Sequence, residues 1–171
     1  MDKTRIEQAK NNFNNYLNEE LLKKSKFNPN IFEKLEQNSI ESLEVANKLF
    51  NENISYLWVV VSSYYSMFYI ANAYIYKKGY KIQHKLVHKV VSDTLIVLAK
   101  DDLILKLIKE YEEEQENALS IAETLIETFE YERTKRAIFQ YEMTEDLKKS
   151  KAKTSLDRAK NFVEIFRKLL I

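Results

Sequence analysis

Between positions 133 and 141 the chain reads Arg133-Thr134-Lys135-Arg136-Ala137-Ile138-Phe139-Gln140-Tyr141. Arginine keeps its charge at any relevant pH and can hold a phosphate bidentately, so Arg133 and Arg136, with Lys135 between them, suit an anionic ligand. Phe139 and Gln140, in a short stretch between two charged helices, suit base stacking and hydrogen bonding. The phenol of Tyr141 can donate a hydrogen bond, although its ordinary pKa near 10 makes it a poor general base at neutral pH. A plainer reading fits the same residues. They are a basic helix end favoured by the helix dipole and paired with Glu130, Glu132 and Glu142. The only two histidines, His84 and His88, stand four apart and share a helix face. No glutamate in the zinc-protease pattern lies between them and no third ligand is evident, so no metal is expected. A structural or surface role is the default for both, with contact to RNA or a nucleotide as the alternative. If their helix faced the arginine cluster, a histidine from it could supply acid–base chemistry.

These residues need a scaffold, and the pattern predicts a helical one. One glycine and one proline in 171 residues leave few turn formers, so hairpins and tight sheet connections are not expected. Apolar spacing predicts a first helix from Asp2 to about Lys24, broken at Asn28-Pro29-Asn30, and a second from about Ile31 to Phe50. A third runs from about Ser55 to Lys78, with Gly79 placed for a left-handed C-cap. A fourth covers about Gln83 to Ala99. From Leu103 to about Arg136 nothing interrupts the pattern, so one long helix is expected. After a linker, Thr144 is a plausible N-cap for a last helix reaching about Leu170. The fold class is all-α: an up-and-down bundle of five to six helices around one core, with residues 1–28 as an added N-terminal helix and 29–171 as the bundle domain.

Composition excludes several classes. The net charge of +1 gives the whole molecule no pull toward a polyanion, so any such attraction must be local. Without cysteine there is no disulfide, thiolate site or cysteine nucleophile, which fits a reducing cytoplasm. There is no Gly-rich phosphate loop and no Glu-x-x-His pair of a di-iron bundle, so no cofactor is expected. Ile54 to Ile75 approaches membrane-spanning length but carries serines, Asn72 and five tyrosines, and reads as a helix buried in protein. Its aromatic residues (Tyr56, Tyr64, Tyr65, Phe68, Tyr69, Tyr74 and Tyr76) read mostly as core and subunit interface, with Tyr64, Tyr65 and Tyr69 as the ones to seek at a site. Lys148, Lys149, Lys151 and Lys153, with Arg158 and Lys160, read as a solvated helix face. Beside Arg133, Lys135 and Arg136 they also form the concentrated positive region of the second half.

In order and spacing these elements resemble the HEPN domain family of helical bundles in prokaryotic toxin–antitoxin and defence systems. The run Tyr64-Tyr65-Ser66-Met67-Phe68-Tyr69-Ile70-Ala71 is similar to that family's Tyr-Tyr-Ala-Met-Phe-type helix. Gly79 followed by His84-Lys85 resembles its glycine then His-Lys step. Arg136-x-x-x-x-Tyr141 is similar to its Arg-x-x-Ala-Asp-Tyr element, and Ala152, Ala159 and Phe162-Val163 resemble its last helix. The likeness covers roughly residues 31 to 171.

The resemblance implies a homodimer with the third helix and the basic linker of each subunit near the two-fold axis. It also implies RNA as the substrate class of active members, in which an arginine and a histidine four to six residues later build one composite, metal-independent ribonuclease site across the dimer. Neither Arg133 nor Arg136 has that histidine: counting from Arg136, Tyr141 occupies its position. In some members a tyrosine near this place is modified by a partner nucleotidyltransferase. The expected function is therefore an RNA-binding, toxin-like protein and endoribonuclease candidate, with Arg133, Arg136 and Tyr141 as catalytic residues. Lys135, Phe139, Gln140, Tyr65 and His84 would bind RNA or nucleotide. The alternative is a non-catalytic nucleotide-binding or adaptor subunit that acts with a nucleotidyltransferase or another partner.

Overall fold

The computed structural model describes residues 1–83, 87–99, 101–131 and 145–171, with the helical path alone for 122–131. In these residues the chain forms α1 (Lys3–Asn18), β1 (Leu22–Lys24), α2 (Pro29–Asn51), α3 (Tyr56–Lys77), β2 (Tyr80–Ile82), α4 (Val87–Leu98), α5 (Asp102–Tyr131) and α6 (Glu145–Leu169). The all-α bundle expected from the apolar periodicity is what forms.

Local chemistry sets many of the helix ends. The Asp2 carboxylate accepts from the Arg5 amide at 2.7 Å, and the Asn28 side chain accepts from the Asn30 amide ahead of Pro29. Ser55 caps α3 in the same way. At the far end of α3, Gly79 takes φ +88°, the left-handed conformation its position calls for.

Two boundaries depart from expectation. The first helix does not continue to Lys24: it stops at Asn18, Glu20 turns the chain at φ 58°, and Leu22–Lys24 becomes a strand. That strand pairs antiparallel with Tyr80–Ile82, Leu22 opposite Ile82 and Lys24 opposite Tyr80. The pair is not a hairpin, since its strands lie more than fifty residues apart in sequence, and scarcity of turn formers does not forbid it. Burial of Leu22 in the core gives the strand its anchor. Gln83, expected as the start of α4, lies outside the helix and donates its amide to the Leu21 carbonyl at 2.9 Å, extending the strand pairing.

The core is built around α3, which packs against α2 and α6 and also meets α4 and α5. Tyr64, Met67, Ile70 and Ala71 of α3 are fully buried. From α6, Phe162 stacks on Phe166 at 4.2 Å between ring centroids, and Tyr111 of α5 stacks on Phe162 at 5.6 Å. The N-terminal helix belongs to this same core through Ala9, Phe13 and Tyr16. No helix among the described residues is long and apolar enough to cross a membrane.

Candidate functional site

Helix α3 is buried along most of its circumference but keeps one open face. Trp58, Ser62, Tyr65 and Tyr69 recur at helical spacing on it, facing Asn38, Glu41, Ser42 and Val45 from α2. Between the two helices lies a groove of about 470 Å³. Its walls are unusually aromatic for a surface: Trp58 is 51% exposed and Tyr65 36%. Among the described lining residues, Glu41 is the single acidic group and there is no lysine or arginine.

Tyr65 connects this groove to a polar chain running into the core. On α4, the His88 ring lies 4.9 Å from Phe68 and 6.3 Å from Tyr65, centroid to centroid. Its Nδ1 is 2.5 Å from the hydroxyl of Tyr64, which in turn is 3.3 Å from the hydroxyl of Tyr111. Three elements thus contribute one residue each to a continuous Tyr111–Tyr64–His88 chain. Tyr64 and Tyr111 are fully buried, His88 only partly.

Burial dominates the electrostatics of this chain. It pushes both phenols well above their ordinary range, so neither ionises at physiological pH. It lowers the pKa of His88, because partial burial disfavours the imidazolium. The site therefore holds a neutral imidazole and two neutral phenols.

The direction of the protons follows from counting partners. If Tyr111 donates to Tyr64 and Tyr64 donates to His88 Nδ1, both buried hydroxyl protons are satisfied and the imidazole proton sits on Nε2. In the reverse direction Nδ1–H donates to Tyr64 and Tyr64 to Tyr111. The Tyr111 proton is then left without an acceptor among the described residues, inside a fully buried site. The first arrangement wins by about the cost of one unmet buried donor, roughly 1–3 kcal/mol.

Of the residues expected at the site, Tyr65 is exposed, lines the groove and lies beside His88. Tyr69 lines the groove as well, whereas Tyr64 lies beneath the surface as the middle of the chain. Arg133, Lys135, Arg136, Phe139, Gln140, Tyr141 and His84 lie outside the described residues. For His88 sequence reasoning gave a structural or surface role by default, with RNA or nucleotide contact as the alternative, and did not foresee its bond to Tyr64. The single available signal was its i,i+4 relation to His84, which says nothing about Tyr64.

The positive region assigned to α6 also needs revision. Arg158 is engaged in ion pairs, with Nη2 at 2.9 Å from Glu113 and Nη1 at 2.8 Å from Glu114. Glu114 is itself buried and accepts a further hydrogen bond from the Ser155 hydroxyl. That guanidinium holds α6 to α5 and is not offered to a ligand. Lys148 pairs with Glu145 across one turn, while Lys149, Lys151, Lys153 and Lys160 are exposed.

The family model described as HEPN domain matches residues 32–169 of the chain. No curated protein and no solved structure matches it.

Proposed function

The chain belongs to the HEPN domain family, and from that premise we propose that it is a dimeric RNA-binding protein of the toxin-like kind that acts as a metal-independent endoribonuclease. The observation that carries this reading is the Arg136-x-x-x-x-Tyr141 element lying, in sequence, between α5 and α6 of a chain whose family match spans both helices. Arg133 and Arg136 would stabilise the charge that develops on the phosphodiester in the transition state, a task for a fixed cation. Tyr141 would donate a hydrogen bond to it or receive a nucleotide. Lys135, Phe139 and Gln140 would hold the strand, and the exposed lysines of α6 would draw it in from a distance.

Two features support a homodimer. The family resemblance puts α3 of each subunit near the two-fold axis, and the exposed Ile54 and Trp58 at the start of α3 are apolar surface that a second subunit would cover. The match to the family model begins at residue 32, and residues 1–28 would be an addition to that domain. They are anchored through the core residues of α1.

The second reading is a non-catalytic nucleotide-binding or adaptor subunit that works with a nucleotidyltransferase. It is favoured by one specific observation: no histidine follows Arg133 or Arg136 at the interval the ribonuclease site uses. Expression of the wild type against Arg136→Ala and Arg133→Ala, with growth and RNA integrity followed, separates the two. The ribonuclease reading expects wild-type toxicity with fragments ending in 2′,3′-cyclic phosphate, lost in either variant. Intact RNA and normal growth from the wild type would overturn it in favour of the adaptor.

A further inference from the structure

The Tyr111–Tyr64–His88 chain ends in a group with no partner among the described residues. Nδ1 of His88 is taken by Tyr64, and Nε2 has no hydrogen-bond partner among the described residues. The chain's proton order puts hydrogen on that free nitrogen, so His88 offers a donor rather than a base. Among the described residues, the groups facing the ring are Tyr64, Tyr65 and Phe68 from α3, with Tyr111 behind Tyr64 from α5. None of these is charged, and Lys89, the next residue on α4, is exposed.

A neutral, directional donor beside an exposed aromatic ring is poorly built for a phosphate, which calls for cations. It is well built for a nucleobase, which has a π-face to stack and carbonyl or ring-nitrogen acceptors on its edge. The groove that Tyr65 shares with Trp58 and Tyr69 continues this character, adding the Asn38 amide and the Ser42 and Ser62 hydroxyls. Glu41 in the same groove would repel a phosphate and accept from an exocyclic amine.

We propose that Tyr65 and His88 form a nucleobase-binding subsite, in which a base of single-stranded RNA stacks on Tyr65 and accepts a hydrogen bond from His88 Nε2–H. Tyr64 and Tyr111 are positioning residues that fix the imidazole tautomer. The choice of ligand class rests on the RNA-binding reading above; the neutral donor and the aromatic surface do not.

Imidazole nitrogen NMR on the intact protein tests this directly. At pH 7 His88 is expected to show the Nε2–H tautomer, and its signals should move on addition of a nucleoside or a 2′-O-methyl RNA oligonucleotide but not of inorganic phosphate. Tyr65→Ala and His88→Phe should each weaken oligonucleotide binding about tenfold, the scale of one lost stacking or directed contact. His88→Gln keeps a donor and should retain more affinity than His88→Phe. Tyr64→Phe should leave the fold intact while allowing the Nδ1–H tautomer to appear, a change that a merely space-filling Tyr64 would not produce.

An Nδ1–H tautomer in the wild type, a response to phosphate alone, or unchanged affinity in Tyr65→Ala and His88→Phe would overturn the subsite. If the oligonucleotide binds and Arg136→Ala abolishes binding while His88 never responds, the subsite fails and the RNA reading stands. If nucleosides move His88 but no RNA binds, the subsite stands as a nucleotide site and the RNA reading fails. Silence of His88 toward both probes overturns the subsite.

Discussion

Neighbouring residues of α5 serve two very different kinds of polar region. Tyr111 points to Tyr64 and the uncharged chain that ends at His88. Glu112 and Glu114 go to charged clusters. One lies at the junction of α1, α4 and α5, where Arg5 reaches Asp93 at 2.6 Å and Glu112 at 2.5 Å. The other ties α6 to α5 through Glu114, Ser155 and Arg158. The clusters are closed: buried Asp93 accepts from Arg5, Asn12 and Tyr16, and buried Glu114 from Ser155 and Arg158. Closure is what makes a buried charge tolerable, because a carboxylate out of water needs nearly all its lone pairs used. The tyrosine–histidine chain has no charge to neutralise and so can afford an open end. That contrast separates polar groups that hold helices together from a polar chain whose outer nitrogen has no partner among the described residues.

The largest effect should come from opening a closed cluster. Arg5→Ala leaves Asp93 buried with only Asn12 and Tyr16 as donors. A loss of about 3 kcal/mol in urea unfolding is expected, the scale for breaking a buried pair from one side. Were Arg5→Ala neutral, the cluster would not be what docks α1. Glu114→Gln should cost less, about 1–2 kcal/mol, because an amide still accepts from Ser155 while Arg158 keeps Glu113.

The open chain should reveal itself through pH. Folding lowers the pKa of His88 below its ordinary value near 6.5, so the unfolded chain binds the proton more readily. Stability should be full above about pH 6.5, fall as pH drops through that value, and level off below the folded pKa. In His88→Phe this part of the slope should vanish; a variant with the wild-type profile would mean that His88 is solvated. The smallest effect belongs to the core of α3, where the Ser66 hydroxyl is buried without a partner among the described residues. Ser66→Ala should be neutral or stabilising by up to about 1 kcal/mol in the same urea experiment, since no bond is lost.

Much of the fold was legible because its signals are local. The apolar stripes of α2, α5 and α6, the Pro29 start and the Gly79 stop are all written within a turn or two of where they act. The aromatic helix was legible as mostly core and interface, with Tyr64, Tyr65 and Tyr69 as the residues to seek at a site; Tyr65 and Tyr69 line the groove, whereas Tyr64 is fully buried. The site was less legible. His88 and Tyr64 are 24 residues apart and Tyr64 and Tyr111 are 47 apart, and no pattern of either spacing exists in sequence. Arg158 looked like free positive charge because its partners, Glu113 and Glu114, lie on a different helix.

The sequence by itself determined the helical class, the caps, the family and the arginine–tyrosine element without its histidine, since each depends on residue types at short separations. Tertiary structure alone decided that Leu22–Lys24 would pair with Tyr80–Ile82, that Arg158 would be held by α5, and that His88 would meet Tyr64. Those outcomes come from how helices pack. Packing brings together side chains whose separation along the chain carries no trace of their eventual contact.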